Sequence, residues 1–250
     1  MSDGSALLLA AALALVAFLY ASVGHAGATG TIAVLTLAGW SAGAIKPLAL
    51  ILNTVVAAVG CWTFLRAGHW PGRAFWPVYV LALPAAFLGG AWHLPVLWLQ
   101  RLLGLVLLAS AWRLARQFQE PADPRPPHAL TLALSGGGLG LLAGLTGTGG
   151  GVFLSPLLLL GRWCGTRQTA AVSVLFILLN SLGGLAGLGL SRPDALTAVL
   201  QPQLLLWLAL VLPAGALGAH LGSRRWPLLR VRRCLALVLV LAGGKLLAAG

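Results

Sequence analysis

Gly144-Leu145-Thr146-Gly147-Thr148-Gly149-Gly150-Gly151 runs straight into Val152-Phe153-Leu154-Ser155-Pro156 and four leucines, with apolar sequence on both sides. Glycine at this density disfavours a continuous helix, because each one loses more backbone freedom on ordering than any other residue. The stretch therefore predicts a turn of bare backbone inside a hydrophobic region. Lipid tolerates such backbone only where protein or a water-filled cavity satisfies it. A weaker copy, Gly24-His25-Ala26-Gly27-Ala28-Thr29-Gly30-Thr31, lies in the first half of the chain.

The surroundings of both turns decide the class. The chain is 59% hydrophobic and 8% charged over 250 residues, whereas soluble domains carry about 25% charged residues. The expected fold is all-α, a polytopic integral membrane protein. Apolar runs fall at about 6–23, 31–39, 47–65, 75–92, 96–114, 129–145, 152–163, 169–190, 199–221 and 233–249. Eight of these ten are 17 to 23 residues long, enough for a ~30 Å hydrocarbon core. The second and seventh are too short, and each follows one of the glycine turns. Ala6 to Val23 reads as a first transmembrane helix and not as a cleaved signal peptide, because no basic region precedes it.

The one long polar stretch, centred on Glu120-Pro121-Ala122-Asp123-Pro124-Arg125-Pro126-Pro127, is rich in proline and predicts an exposed linker. It divides the chain into a first repeat (1–115), a linker (116–128) and a second repeat (129–250). The halves resemble each other. Val80-Leu81-Ala82-Leu83-Pro84 with Leu88-Gly89 is answered by Ala209-Leu210-Val211-Leu212-Pro213 with Leu217-Gly218, and Asn53 with Gly60 by Asn180 with Gly187. Asn53 and Asn180 are the only two asparagines in the chain.

Five segments per half would insert the second repeat upside down, and the loop charges agree. Counting ten crossings places twelve arginines on one side, among them Arg66, Arg73, Arg162, Arg167 and the five from Arg224 to Arg233; Lys46, Arg101, Arg192 and Lys245 lie opposite. The positive-inside rule puts the twelve in the cytoplasm and both termini outside. If the two short segments did not cross, the split would be nine to seven, a weaker asymmetry. Trp70, Trp76, Trp92, Trp98, Trp163 and Trp226 lie near segment ends, as interfacial anchors do. The formal charge of +12 is thus a topology signal, not a nucleic-acid surface. Cys61, Cys164 and Cys234 lack metal or disulfide spacing and read as packing residues.

A short helix opening on glycine presents unpaired N–H groups and a positive dipole end, which together seat an anion. Gly147, Thr148, Gly149, Gly150 and Gly151 would form one face of such a seat, and His25, Gly27, Ala28 and Thr29 the other. Asn53 and Asn180 are candidates to line it. Lys46 could meet the incoming anion, and Gln168, Thr169 and Ser173 occupy the matching stretch of the eighth segment. The four acids, Asp3, Glu120, Asp123 and Asp194, all lie at a terminus or in loops. No run therefore holds a carboxylate to coordinate Na⁺ or relay protons, and no cofactor or metal is expected.

With this glycine pattern running into Phe153-Leu154-Ser155-Pro156, then Gln168-Thr169-Ala170 and Asn180, the chain resembles the sulfite exporter TauE/SafE family of membrane transporters. The first turn departs from a glycine-richer form through His25, Ala26, Ala28 and Thr29. The resemblance implies transport of sulfur-containing anions, such as sulfite or organosulfonates, across the bacterial inner membrane. Rocking of one half against the other would expose the site to each side in turn. Sulfate, thiosulfate, sulfoacetate or a taurine-derived anion are alternatives, and the partners expected are the substrate and the lipid bilayer, with a homodimer left open. Two other classes compete. An intramembrane hydrolase would use Ser155 or Ser173 with His25 or His220, but lacks a nucleophile motif and an orienting acid. A non-transporting membrane subunit would have no need of paired glycine turns.

Overall fold

The computed structural model describes residues 3–22, 24–69, 72–92, 94–115, 123–222 and 229–248. Most of the linker and the Arg224-Arg225 pair lie outside these residues, as do Trp70, His93 and Trp226. The elements are α1 (Asp3–Ala21), α2 (Ala28–Leu37), α3 (Ala42–Arg66), a 3-10 turn (Arg73–Phe75), α4 (Pro77–Ala91), α5 (Val96–Ala115), α6 (Ala129–Thr146), α7 (Gly151–Leu160), α8 (Thr166–Ser191), α9 (Pro193–Thr197), α10 (Pro202–Gly222) and α11 (Leu229–Ala248).

Each apolar run is a helix, because buried backbone in a hydrocarbon setting must bond to itself. Five helices are long and apolar enough to cross a membrane: α3, α4 with its preceding 3-10 turn, α6, α8 and α10. The apolar parts of α1, α2, α5, α7 and α11 are shorter. Large apolar side chains such as Leu8 on α1, Val80 on α4, Leu105 on α5, Leu134 on α6, Leu205 on α10 and Leu241 on α11 face outward. Exposed apolar side chains of this size and number suit lipid, not water.

The boundaries differ from the sequence expectation where caps intervene. α2 starts at Ala28 because Gly27 caps it in the left-handed region, with φ 88°. α3 starts at Ala42, so Lys46 and Pro47 lie inside its first turns and not at its edge. α7 stops at Leu160, and Arg162 takes a positive φ of 56° that turns the chain towards α8. The five-residue α9 was not expected from the apolar pattern.

Close helix approach is made by glycine. A Cβ on Gly136, Gly140 or Gly144 of α6 would run into the backbone carbonyls of Val78, Ala82 and Ala86 on α4. The spacing of four on both helices keeps one stripe of bare backbone against another, the small-residue packing of membrane helices. Gly90, Gly183 and Gly187 bring α4 and α8 together in the same way, and Gly218 and Gly222 bring α10 onto Phe18 of α1 and Ser22 just beyond its end. Gly136→Leu is expected to part α4 from α6 and to lower the melting temperature in detergent, since even modest overpacking costs about 1–3 kcal/mol. Gly138→Leu, at a position where a Cβ meets nothing within 4 Å, is the control and should melt like the wild type.

The helices pack in matched pairs. α1 lies on α10 as α6 lies on α4; α3 contacts α8 and α10, and α8 contacts α3 and α4. α5 packs on α11, while α2 rests on α1, α3 and α11, and α7 on α6, α8 and α5. The two short helices are thereby held inside the bundle with their N-terminal turns at its centre.

Candidate functional site

Both glycine turns end at one cavity. It measures about 10 Å³ and is lined by Tyr20, His25, Ala26, Gly27, Ala28 and Thr29 from the first half and its turn, by Asn53 of α3, and by Thr148, Val152 and Ile177 from the second half. That volume holds about one water molecule. Its lining residues are all buried.

Local geometry explains why the cavity forms there. Gly27 and Gly150, the N-caps of α2 and α7, both adopt the left-handed conformation, with φ of 88° and 77°. Gly147 and Gly149 do the same at 75° and 67°. The second turn thus reverses direction over four residues, which side chains with a Cβ would resist. The first N–H groups of α2 and α7 remain without carbonyl partners of their own helix, as in any helix start. Two positive dipole ends converge on one small volume.

Asn53 is the hinge of the polar lining. It is 1% exposed, donates from Nδ2 to Ser181 Oγ on α8 at 2.9 Å, and has no hydrogen-bond partner for Oδ1 among the described residues. Gly149 packs directly against it: a Cβ there would collide with Asn53 Nδ2 and crowd Ile177 and Ser181. Thr148 bonds to Thr146 at 2.9 Å, and Thr146 in turn donates to Leu142 O at 2.7 Å. Thr29 donates to the Tyr20 hydroxyl at 3.2 Å.

A second polar chain lies behind the first turn. His25 Nε2 is 2.9 Å from Ser155 Oγ of α7. Ser155 donates to Gly151 O at 2.9 Å and sits 2.8 Å from Ser173 Oγ on α8. Ser173 thus reaches the site through Ser155. Gly151 faces Ile177 and the carbonyl of Ser173, whereas Gly150 faces away, towards Phe176 and Ala143.

Six sequence candidates line the cavity, namely His25, Gly27, Ala28, Thr29, Asn53 and Thr148. Gly147, Gly149, Gly150, Gly151 and Ser173 are not lining residues, and neither are Lys46, Gln168, Thr169 and Asn180. Lys46 is buried and gives its ammonium to the carbonyls of Gly89 and Gly90, both at 3.2 Å. It caps the C-terminal end of α4, where the helix dipole favours a cation. Only its backbone and stem approach the second turn, behind Gly147. Gln168 lies near Gly72 in the loop before α4, since a Cβ on Gly72 would come within 3.7 Å of its Nε2. Thr169 pairs with Cys164 Sγ at 3.1 Å; burial pushes the Cys164 thiol above its ordinary value, and this contact offsets part of the rise. Asn180 is fully buried, and neither Nδ2 nor Oδ1 has a partner among the described residues.

Tyr20 and Ser181 were not expected at the site, and Ser155 was weighed only as a hydrolase nucleophile. Ser155 carried a signal, a lone hydroxyl four residues after Gly151 in an otherwise apolar run; Tyr20 and Ser181 carried none. His25 and Ser155 are 130 residues apart in sequence, and only the packing of α2 against the second half joins them. Cys61 is also a buried free thiol, and the described residues hold no group of three side chains suited to a metal ion.

Comparisons with known proteins assign the family. The family model described as "Sulfite exporter TauE/SafE" matches residues 8–246. The "Probable membrane transporter protein y4hK" of Sinorhizobium fredii is 39% identical over 250 residues, covering 98% of this chain and 99% of that protein. No solved structure matches. The match spans α1 to α11 and includes both glycine turns, and the chain therefore belongs to the sulfite exporter TauE/SafE family and is a membrane transporter of that type.

Proposed function

We propose that the chain carries small sulfur-containing anions, sulfite or organosulfonates, by alternating access around the cavity between the two glycine turns. The observation that carries this reading is the convergence of the α2 and α7 N-termini on one small buried cavity whose polar lining is neutral apart from His25. Oxoanions suit such a seat because backbone N–H groups and a helix dipole recognise negative charge without a fixed cation. The orphaned Asn53 Oδ1 fits a site in which a water, or a protonated ligand oxygen, completes the hydrogen bonding. With room for about one water, the cavity corresponds to a constricted conformation, and the turns must part to admit an oxoanion.

The matched helix contacts support an inverted pair of repeats as the moving parts. α3 and α8 would be equivalent helices crossing at the centre. On one side of that crossing Asn53 bonds Ser181. The sequence equivalent of Ser181 is Thr54, which bonds its own Leu50 O at 2.8 Å, while Asn180, the equivalent of Asn53, has no partner among the described residues. One half has formed its asparagine–hydroxyl bond and the other has not. Exchange of these two bonds is the step by which we expect the repeats to swap conformations. The twelve-to-four split of basic residues favours a cytoplasmic linker and outward termini.

The His25–Ser155 pair also bears on the hydrolase alternative. Ser155 Oγ lies within hydrogen-bond reach of Gly151 O and Ser173 as well as of His25 Nε2, and no nucleophile motif surrounds it. The decisive test is counterflow in liposomes containing the purified chain. Sulfite, methanesulfonate or thiosulfate loaded inside is expected to drive uptake of the labelled species. Absence of counterflow for every sulfur oxoanion would remove the transporter reading of this cavity.

A further inference from the structure

Two kinds of contact hold the central helices, and they separate the parts of the bundle that are interlocked from the part that can slide. α4 meets α6 and α8 backbone to backbone: a Cβ on Gly140, Gly90 or Gly187 would enter the carbonyl of Ala82, Gly184 or Phe87. Bare chains fitted this closely resist shear. α3 is held differently. At its contact with α8, Gly60 faces the Val174 side chain and Gly184 faces the Leu50 side chain; at its contact with α10, Gly215 faces the Val56 side chain. Counting from the Asn53 and Asn180 pair, α3 has Val56 and Ala57 where α8 has Gly183 and Gly184. α3 can therefore shift by repacking side chains while α4, α6 and α8 stay joined.

The second glycine turn is seated on this movable helix. A Cβ on Gly147 would meet the backbone and stem of Lys46, and one on Gly149 would strike Asn53 Nδ2. Lys46 and Asn53 are seven residues apart, two helical turns, so they share a face at a separation of about 10 Å. Each ties α3 across the sliding surface, Asn53 to Ser181 Oγ on α8 and Lys46 to the carbonyls of Gly89 and Gly90 on α4. The Lys46 tie carries charge. Lys46 is buried, and its ammonium has three N–H donors, two of them given to carbonyls that the end of α4 leaves open. Among the described residues it has no third partner and no carboxylate. A buried cation that meets only carbonyl dipoles is incompletely compensated, and an anion is a stronger partner than a neutral carbonyl. In the second half the same position is Ser173, a neutral group already engaged with Ser155. The charged tie therefore exists on one side only.

We propose that Lys46 is the latch on one entrance of the cavity: it fastens α3 to the end of α4 with the second turn held against it, and an arriving anion draws the ammonium off the carbonyls and frees α3. The release step rests on the reading of the cavity as an anion site. The latched entrance is on the side where α3 begins and α4 ends. Lys46 is a positioning residue in this scheme, acting on the cavity through Gly147 and the turn that follows it.

Opening is read from Ala26→Cys, at a position that lines the cavity, in the full-length chain with Cys61, Cys164 and Cys234 replaced by serine. Proteoliposomes are treated from each face in turn with a cationic thiosulfonate reagent that does not cross the bilayer. With Lys46 in place, labelling from the latched face should be slow and should quicken when methanesulfonate is added. Lys46→Met should label from that face about tenfold faster without any anion, the effect of losing one charge-assisted hydrogen bond. Methanesulfonate should then add nothing, and the rate from the opposite face should stay as it was. Lys46→Arg, which keeps the charge and the donors, should restore slow, anion-sensitive labelling. If Lys46→Met is not monodisperse in gel filtration, Lys46→Gln replaces it with the same expectation. A neutral variant that labels no faster than the Lys46 protein, or faster from both faces alike, would overturn the latch. In a protein that shows counterflow, labelling indifferent to methanesulfonate would overturn the release step. Absence of counterflow removes the anion site and the release step with it, while the anion-free rates still decide the latch.

Discussion

Gly149→Leu is expected to abolish binding of sulfur oxoanions while leaving a folded, membrane-inserted protein. Gly149 has φ 67°, and a side chain in that region costs about 1–2 kcal/mol before any contact is counted. Its Cβ would also strike Asn53 Nδ2 and crowd Ile177 and Ser181. Overpacking adds about 1–3 kcal/mol, so even Gly149→Ala should weaken binding by tenfold or more, at about 1.4 kcal/mol per decade. The residues displaced are those that wall the cavity, so the loss falls on affinity first. Calorimetry with methanesulfonate and gel filtration in detergent separate the two effects. A Gly149→Leu protein that is monodisperse and binds like the wild type would remove the second turn from the site.

Asn180→Leu is expected to make the protein more stable and unable to transport. In this conformation both polar atoms of Asn180 are buried without a partner among the described residues, a condition that costs about 1–3 kcal/mol per group. Leucine fills nearly the same space and removes the cost. The melting temperature should rise by several degrees, at about 2–4 °C per kcal/mol for a chain of this size. Transport should stop, because the opposite-facing state would lack the bond from Asn180 to Thr54. Asn53→Leu should differ in sign: it breaks a formed bond to Ser181 and leaves that hydroxyl buried, so stability falls together with transport. Thermal melts and liposome counterflow on the two variants read both quantities. An Asn180→Leu protein that melts lower, or that still transports at the wild-type rate, would contradict the exchange of bonds between the halves.

The positions of these residues also show where sequence sufficed. That Gly27 and Gly150 would open short helices was legible, because glycine clusters before apolar runs of 9 and 12 residues have few other uses in a membrane protein. The placement of Asn53 beside the second turn followed from no local pattern; it was a candidate only because asparagine is rare in this chain. Lys46 was expected at the cavity since a cation near an anion site is chemically reasonable. The structure directs it to the C-terminus of α4 instead, because unpaired carbonyls at a buried helix end attract a cation as strongly as a ligand does.

Sequence by itself determined the all-helical membrane class, the apolar runs, the two glycine turns and the family, because each depends on composition or on residues close together in the chain. Backbone that cannot bond to water must bond within its own run, and this makes helices legible one segment at a time. Tertiary structure alone decided that both turns open into a single cavity, that His25 pairs with Ser155 across the halves, and that Asn180 is left without a partner among the described residues. These are outcomes of packing. They depend on glycine stripes that let α4, α6 and α8 approach backbone to backbone, and on which side chains those close approaches leave facing one another.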